Sequence, residues 1–141
     1  MKLDPVAPEL QSLLEAASPA TITLYREDGE AITSPVWFRV DGESIEMVVA
    51  ATDRKLAHLR NDPRCVLLVF EAVRPFRGIE VRGRVKIEPD DGSASRLAIA
   101  SRYLGSEAGR AYADVARRAP GFRLRLPLSE ARAWDLADKI S

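Results

Sequence analysis

The chain has 141 residues, and its 21 lysines and arginines are matched by 21 aspartates and glutamates, so its formal net charge at pH 7 is zero. This length fits a single domain over residues 1–141, and hydrophobic and charged fractions of 46% and 30% exclude a disordered chain. Zero net charge gives no overall attraction to nucleic acid. The sequence shows neither an apolar run long enough to span a membrane nor a basic, apolar leader, so we expect a cytoplasmic protein.

Apolar periodicity and turn residues predict many short strands and a few helices. In chain order we predict a helix over 7–17, strands over 21–25, 31–40 and 44–50, a helix over 53–61, strands over 65–73 and 79–88, a turn at 90–92, helices over 93–104 and 107–118, a strand over 122–128 and a short strand over 131–134 that closes the sheet. The first three strands form an antiparallel meander in this interpretation. The pattern favours an antiparallel barrel with helical decorations.

Two of the predicted strands carry further information. Residues 79–88 alternate apolar with charged side chains, which predicts a half-buried strand, and Gly83 on the apolar face suggests a bend or bulge. Pro35 cannot donate to a strand ladder, so its position should face an edge, a bulge or a ligand. Trp37 and Phe38 lie on opposite faces of their strand, so one is expected in the core while the other is available to stack on a ring.

The scarcity of cysteine and histidine excludes several kinds of site. Cys65 and His58 are the only residues of their types, too few for a disulfide, a Cys/His zinc site or an iron–sulfur cluster, and we assign no metal ligand. The chain also lacks a Gly-x-Ser-x-Gly elbow, a Walker loop and a Gly-x-Gly-x-x-Gly run. Cys65 is interpreted as a small buried hydrophobe. If the protein is an enzyme, a bound cofactor is expected to carry the chemistry.

The helix predicted over 53–61 begins with an unusual charge pattern. Thr52 or Asp53 can cap the helix, and Arg54 and Lys55 then fall in the first turn, where the helix dipole disfavours cations. A docked phosphate would explain both cations, because free amides and the dipole favour an anion there. The alternative is two solvated surface side chains, which local sequence alone favours. A solvent-facing role is likewise the simpler interpretation of His58.

The order of four short segments resembles the pyridoxamine 5′-phosphate oxidase-like split-barrel flavoproteins, and more narrowly their small actinobacterial deazaflavin-dependent members. The segments are Ser34-Pro35-Val36-Trp37, Arg54-Lys55 with Leu59-Arg60-Asn61-Asp62-Pro63-Arg64, Glu80-Val81-Arg82-Gly83-Arg84-Val85, and Leu126-Pro127-Leu128-Ser129. Together they fall within residues 20–134. The resemblance implies a split β-barrel of the FMN-binding type with six or seven antiparallel strands, assembled as a homodimer with two cofactor sites at the subunit interface.

The resemblance also implies an activity and a set of cofactor-binding residues. Family members bind FMN or the deazaflavin coenzyme F420 and transfer hydride between it and small conjugated or quinone-like substrates. A lysine of the short helix binds the cofactor phosphate, which corresponds to Lys55 and reverses the local preference stated above; Phe76 and Arg77 would come from the other subunit. No catalytic side chain is assigned. The implied cofactor-binding residues are Ser34, Pro35, Val36, Val48, Val49, Ala50, Thr52, Arg54, Lys55, Arg60, Phe76 and Arg77.

Two departures from the family pattern leave alternatives open. His58 stands where asparagine is usual, and Asp53 stands where a cation is common, so Asp53 is expected to cap the helix. We expect an F420-dependent oxidoreductase. The alternatives are an FMN-binding oxidase or reductase, a non-enzymatic flavin- or haem-binding module in which His58 is the one histidine available to haem, and a structural dimer without a ligand.

Overall fold

The structure is a computed structural model that describes residues 8–90, 94–116 and 118–140. Its helices are α1 (Pro8–Glu15), α2 (Arg54–Asn61), α3 (Ala94–Leu104), α4 (Ser106–Ala116) and α5 (Ala137–Ile140). Its strands are β1 (Ala20–Tyr25), β2 (Ala31–Pro35), β3 (Arg39–Asp41), β4 (Ser44–Ala50), β5 (Arg64–Phe70), β6 (Gly78–Arg84), β7 (Lys86–Pro89), β8 (Gly121–Pro127) and β9 (Ala131–Trp134). Among these residues no helix is long and apolar enough to cross a bilayer. Most of the turn predicted at 90–92 lies outside them.

The strands form two antiparallel sheets, which confirms the mainly β prediction. Five strands pair in the order β2-β1-β5-β6-β9, and four pair in the order β3-β4-β8-β7. The described part of the chain contains nine strands rather than six or seven, because two predicted strands each divide in two. The short strand β9 pairs with β6 at the edge of the first sheet, so within the described residues it extends that sheet and does not close it into a barrel.

The strand predicted over 31–40 is broken at residues 36–38. Its first half, β2, pairs with β1 in the five-stranded sheet, and its second half, β3, pairs with β4 in the other. The prediction of a continuous meander is therefore wrong at this corner, where the fully buried Phe38 fills the space between the sheets. The position of Pro35 is as predicted, since β2 is an edge strand that pairs on one side.

The strand predicted over 79–88 is broken at Val85, where the chain again passes from one sheet to the other. The Val85 amide donates to the Pro63 carbonyl instead of to a strand neighbour. Gly83, where a bend was expected, lies within β6 opposite Cys65. A Cβ atom at Gly83 would lie 3.0 Å from the Leu126 side chain of β8, so glycine here allows close packing of the sheets and the corner follows two residues later.

The remaining elements follow the predicted pattern with shifted ends. The third predicted strand is β4, whose alternate residues Ile45, Met47 and Val49 are buried. The strand β5 ends at Phe70, three residues before the predicted limit. Gly105 separates α3 from α4 with a φ of 87°, a left-handed conformation that glycine adopts without steric cost.

The hydrophobic core lies between the two sheets and under α1 and α2. Leu56 and Leu59 of α2 are each 1% exposed and belong to the same cluster as Ile22, Leu67 and the alternating residues of β4. Burial of the apolar face therefore fixes α2 against the sheet. Its polar face and its first turn remain available to solvent or to a ligand.

A buried carboxylate ties the second sheet together. Glu46 on β4 is fully buried, and its two oxygens lie 2.8 Å from Arg39 Nε on β3 and 2.7 Å from Arg125 Nη1 on β8. Arg125 also contacts Asp41, and these interactions hold the pKa of the Asp41 carboxyl below its usual value, mainly through the hydrogen bond from Arg125. Glu46 is the buried member of these pairs, so loss of its arginine partners would leave an uncompensated buried carboxylate, which is costly.

Candidate functional site

A cleft of about 690 Å³ opens beside the N-terminus of α2. This volume is in the range of small-molecule sites, roughly 300–1,000 Å³. One wall is formed by the end of β2 and by β4, and the opposite wall by α3, α4 and the residues that follow α4. The lining residues are Pro35, Val36, Trp37, Val48, Val49, Ala50, Asp53, Lys55, Arg96, Ile99, Ala100, Tyr112, Val115, Ala116, Arg118 and Ala119.

The start of α2 brings one cation to this cleft. Asp53 is the N-cap, as predicted: its Oδ1 accepts a hydrogen bond of 2.8 Å from the Lys55 amide. Its Oδ2 lies 3.5 Å from Lys55 Nζ, and the Lys55 side chain is 24% exposed. Asp53 therefore both satisfies a free helix amide and holds the lysine side chain close to the helix end.

A second cationic side chain stabilises the opposite wall of the cleft. Arg96 on α3 is 8% exposed, and its Nε lies 3.2 Å from Asp90 Oδ2. Its Nη1 donates to the carbonyls of Ala116 and Ala119, so the side chain fixes the end of α4 and the segment that follows it. A Cβ atom at Gly121 would overlap the Arg96 guanidinium. Arg96 thus shapes the cleft by holding its wall in place.

Aromatic side chains form the end of the cleft next to α4. Trp37 stacks on Tyr103 with ring centroids 5.1 Å apart and planes 8° apart, and it meets Tyr112 at 5.4 Å and 54°. Tyr103 is held in turn, because its hydroxyl donates to the Ser18 carbonyl and accepts from the Phe38 amide. Burial raises the pKa of Tyr103. As expected, Phe38 lies in the core while Trp37 stacks on a ring, here that of Tyr103.

Half of the predicted cofactor-binding residues line this cleft. Those brought together are Pro35, Val36, Val48, Val49, Ala50 and Lys55. The cleft lining does not include Ser34, which pairs with Ile22 within the sheet, or Thr52 and Arg54, which are exposed on either side of the helix cap. Arg60 also lies outside it, with its guanidinium 5.0 Å from the centre of the Phe122 ring.

Phe76 and Arg77 lie in the loop between β5 and β6 and do not line the cleft of their own chain. Arg77 Nε lies 2.8 Å from Glu71 Oε2, and Arg77 Nη1 donates to the Ser12 hydroxyl at 2.7 Å. The hydrogen bonds from Arg77 lower the pKa of Glu71. Phe76 is 38% exposed and has a φ of 59°. The loop is thus fixed at its base and presents Phe76 outward.

The residues of α3 and α4 that complete the cleft were not predicted from the sequence. Arg96, Ile99 and Ala100 are buried within an ordinary helical pattern, and nothing in that pattern marks them as part of a site. Tyr112 and Val115 lie three residues apart, and so on one face of a helix, which in the sequence is typical of a core-facing side. The structure shows that they are 50% and 63% exposed, so this face of α4 is open to a ligand or a partner.

His58 and Cys65 take no part in the cleft. His58 lies with Ala57 and Asn61 in a separate depression against the β1–β2 turn, at residues 26–28. Cys65 is 2% exposed, and burial raises the pKa of its thiol to about 12. Its interpretation as a small buried hydrophobe is confirmed.

Comparison with known proteins identifies the fold and the family. A search of curated proteins found no match. The Rv2991 protein of Mycobacterium tuberculosis is similar in structure, with a TM-score of 0.79 and 20% identity over 93% of this chain and 85% of that one. A solved structure named F420 reductase has a TM-score of 0.72 and 25% identity, over 86% of this chain and 94% of that one.

A more distant structural match is a putative pyridoxamine 5′-phosphate oxidase from Listeria innocua, with a TM-score of 0.63 and 14% identity over 89% of this chain and 94% of that one. The family model described as pyridoxamine 5′-phosphate oxidase matches residues 6–134, which is most of the chain. The two antiparallel sheets, their helical insertions and this match agree with one another. The chain therefore belongs to the pyridoxamine 5′-phosphate oxidase family and has its split-barrel fold.

Proposed function

We propose that the protein is an F420-dependent oxidoreductase that acts on a small conjugated or quinone-like substrate. The observation that carries this proposal is the cleft beside α2, where Lys55 stands next to the backbone of residues 35–36 and 48–50. Family membership supports an oxidoreductase, and similarity to the solved F420 reductase supports the deazaflavin over other cofactors.

The charges and walls of the cleft fit such a cofactor. Lys55 and Arg118 are the lining cations available to a ligand, because the charge of the buried Arg96 is already paired with Asp90, and these two side chains suit a phosphate-bearing ligand. Val36, Val48 and Val49 provide an apolar surface for a ring system, as most small-molecule sites do.

The side chains and backbone of the protein would bind the cofactor, orient it and keep water from it, and would not themselves react. When bound, a reduced deazaflavin supplies a hydride to an electron-poor carbon or oxygen of the substrate, and a proton from solvent completes the two-electron reduction. Lys55 would hold the phosphate, and the strand backbone would fix the ring. Ile99 and Ala100 of α3 would keep water from that ring, because both are apolar and line the opposite wall.

An FMN-dependent oxidase or reductase of the same fold is the second candidate. Lys55 would serve an FMN phosphate equally well, and FMN is the other cofactor of the family that the chain resembles. The haem-binding alternative gains no support from this cleft, because His58 lies in a different depression.

We also propose a homodimer with cofactor sites at the subunit interface. Phe76 and Arg77 lie away from the cleft of their own chain, and Phe76 presents an exposed aromatic ring on a loop fixed at its base. A second copy would allow this loop to reach the cleft of the first. The proposal therefore accounts for two predicted site residues that a single chain does not bring to the site.

The experiment that tests the cofactor is a titration of the protein with F420 and, separately, with FMN, followed by tryptophan fluorescence. Trp37 lines the cleft, whereas Trp134 packs against Gly78 at the far edge of the first sheet, so Trp134→Phe leaves one reporter at the site. Micromolar F420 binding with weaker FMN binding is the expected result. Tighter binding of FMN than of F420 would support the FMN-dependent alternative. Binding of neither cofactor would overturn the proposal.

A further inference from the structure

We infer that Arg96 of α3 is a positioning residue for Arg118: it holds the turn after α4 in one conformation, so that Arg118 is placed to contact an anionic group of the ligand. The inference rests on the proposed function, because it concerns the cleft in which Lys55 is proposed to bind the cofactor phosphate. Arg118 was not among the predicted cofactor-binding residues. The structure brings it into the same cleft lining as Lys55 from a distant part of the chain.

The first argument is the depth of the ion pair between Arg96 and Asp90. Arg96 Nε lies 3.2 Å from Asp90 Oδ2, and the two side chains are 8% and 4% exposed. Asp90 directly follows β7, and its amide donates to the Gly121 carbonyl at the start of β8 at 3.0 Å. A buried pair of this kind adds little stability compared with apolar side chains of similar volume, so its use here indicates that defined geometry is what it provides.

The second argument is where the rest of the guanidinium points. Arg96 Nη1 donates to the carbonyl of Ala116, the last residue of α4, and to that of Ala119 at 3.3 Å. The last carbonyls of a helix have no partner within the helix, so such a donor closes the helix end. The amides of Arg118 and Ala119 donate in turn to the carbonyls of Val115 and Ala116. Arg118 therefore lies in the chain between two residues whose carbonyls Arg96 binds.

The third argument is the space provided for the guanidinium. Gly121 pairs with Ala50, which lines the cleft, and a Cβ atom at Gly121 would overlap the Arg96 guanidinium. Glycine therefore lets the arginine pass close to the backbone at the start of β8. A lysine would keep the positive charge in this space, but it has no planar fork that reaches Asp90 and both carbonyls together. Arg96→Lys thus removes positioning contacts and keeps the charge.

A fixed turn makes Arg118 a better contact for an anion. Arg118 is exposed and lines the cleft. A side chain on a turn that samples several conformations would lose that freedom on binding, which weakens the net affinity. With the turn held by Arg96, less freedom is lost and the Arg118 guanidinium contributes more of its contact energy to binding. The effects of the two arginines on binding should therefore be coupled rather than additive.

The test is a double-mutant cycle on the dissociation constant for F420. We expect Arg118→Ala to weaken binding about tenfold in the parent protein but less than twofold in Arg96→Lys, which is itself weakened about tenfold. Arg102→Lys is the matched control, because Arg102 lies on the same helix, donates to the carbonyls of Leu14 and Ala16, and is outside the cleft lining. In that protein Arg118→Ala should keep its full effect. Additive losses in Arg96→Lys, or the same coupling in Arg102→Lys, would overturn the inference.

A second readout needs no cofactor. Hydrogen exchange of the Arg118 and Ala119 amides should be about tenfold faster in Arg96→Lys and in Asp90→Asn than in the parent protein, while exchange of β4 is unchanged. Unchanged exchange at residues 118–119, or an equal increase in β4, would overturn the inference, and Asp90→Asn supplies the result if Arg96→Lys does not fold.

The cofactor proposal can fail separately. If neither F420 nor FMN binds the parent protein, the cofactor proposal is overturned, and inorganic pyrophosphate replaces F420 in the same cycle of Arg96 and Arg118 variants. Absence of pyrophosphate binding, or additive losses in that cycle, would then contradict the role of Arg96 as well.

Discussion

Asp53 contacts two groups of Lys55, the backbone amide and the side-chain ammonium, and only the second contact depends on the charge of the carboxylate. Its Oδ1 caps α2 through the Lys55 amide, and its Oδ2 lies 3.5 Å from Lys55 Nζ. The cap needs an oxygen acceptor but no charge, whereas the partial neutralisation of Lys55 comes from the charge itself. The two functions of this residue can therefore be separated by substitution.

We expect Asp53→Asn to keep the cap and to strengthen binding of a phosphate-bearing cofactor several-fold, because one negative charge leaves the cleft while the amide oxygen still accepts from Lys55 N. Asp53→Ala should lose about 1 kcal/mol of unfolding free energy, the usual cost of a lost N-cap. Urea unfolding and cofactor titration of both variants measure the two effects. Weaker cofactor binding by Asp53→Asn would show that the carboxylate positions Lys55 for the ligand.

Lys55 and Arg54 are adjacent cations, but only Lys55 lines the cleft, so substitution of Arg54 is a matched control for substitution of Lys55. Lys55→Ala should weaken F420 binding by about 1–3 kcal/mol through loss of a charge-assisted contact. Arg54→Ala should change it little, because Arg54 is exposed and does not line the cleft. The measurement is the dissociation constant at two salt concentrations. Equal effects of the two substitutions would mean that the phosphate binds outside the cleft, at the exposed helix end.

Burial of Cys65 makes a prediction about alkaline pH. The thiol pKa rises from 9.0 to about 12 on folding, so below pH 9 both states hold the proton and stability is unaffected. Above pH 9 the unfolded chain releases the proton first, and this residue then lowers stability by about 1.4 kcal/mol per pH unit. Urea unfolding of Cys65→Ala between pH 8 and 11 should show a shallower decline than the parent protein. Parallel declines would contradict the assignment.

At the scale of elements, the ion pairs of the buried Glu46 join β3, β4 and β8. Glu46→Ala should lower the unfolding free energy by about 1.5–3 kcal/mol, because Arg39 and Arg125 lose their shared carboxylate, while both arginines are partly exposed and Arg125 keeps Asp41 as a partner. Arg26→Ala breaks an exposed pair with Asp28 and should cost less than about 1 kcal/mol. Urea unfolding measures the loss of unfolding free energy in both variants. A similar small loss from both would mean that solvent reaches the Glu46 site.

The sequence predicted where strands lie but not where they change sheets. Residues 79, 81, 85 and 87 all pack towards the core, and so do residues 32, 36, 38 and 40, although each series crosses from one sheet to the other. Alternation records which side of the chain is apolar, and that side stays the same around a corner. The breaks at 36–38 and at Val85 are set by the packing of one sheet on the other, which no local pattern contains.

The candidate site shows the same division. Local helix chemistry left the cap open between Thr52 and Asp53 and favoured a solvated Lys55, whereas the family resemblance indicated Asp53 as the cap and Lys55 as a site residue. The wall formed by Tyr112 and Val115 is separated from Lys55 by more than 50 residues and meets it only because α3 and α4 fold back over β4. Such contacts depend on topology, and no local sequence pattern contains them.

At the scale of the whole molecule, the proposed homodimer predicts the molecular mass of the protein in solution. Light scattering on the eluted protein should give about twice the chain mass of 15.6 kDa. Phe76→Ala should leave the folded chain intact while weakening cofactor binding, because its ring is exposed in the single chain. A monomer that binds the cofactor with parental affinity would show that one chain forms the complete site.

The pairing of β4 with β8 also determines when the protein becomes functional during synthesis. Residues 44–50 leave the ribosome early, yet their partners on one side, residues 121–127, follow about 70–80 residues later. Until then one edge of β4 has no neighbour, and contacts of such separation form slowly. The cleft wall at Val48, Val49 and Ala50 is completed only at that point. A chain interrupted before residue 121 would lack Leu124 and Leu126, which share the core with Leu56 and Leu59 of α2, so ligand binding would distinguish finished molecules from unfinished ones.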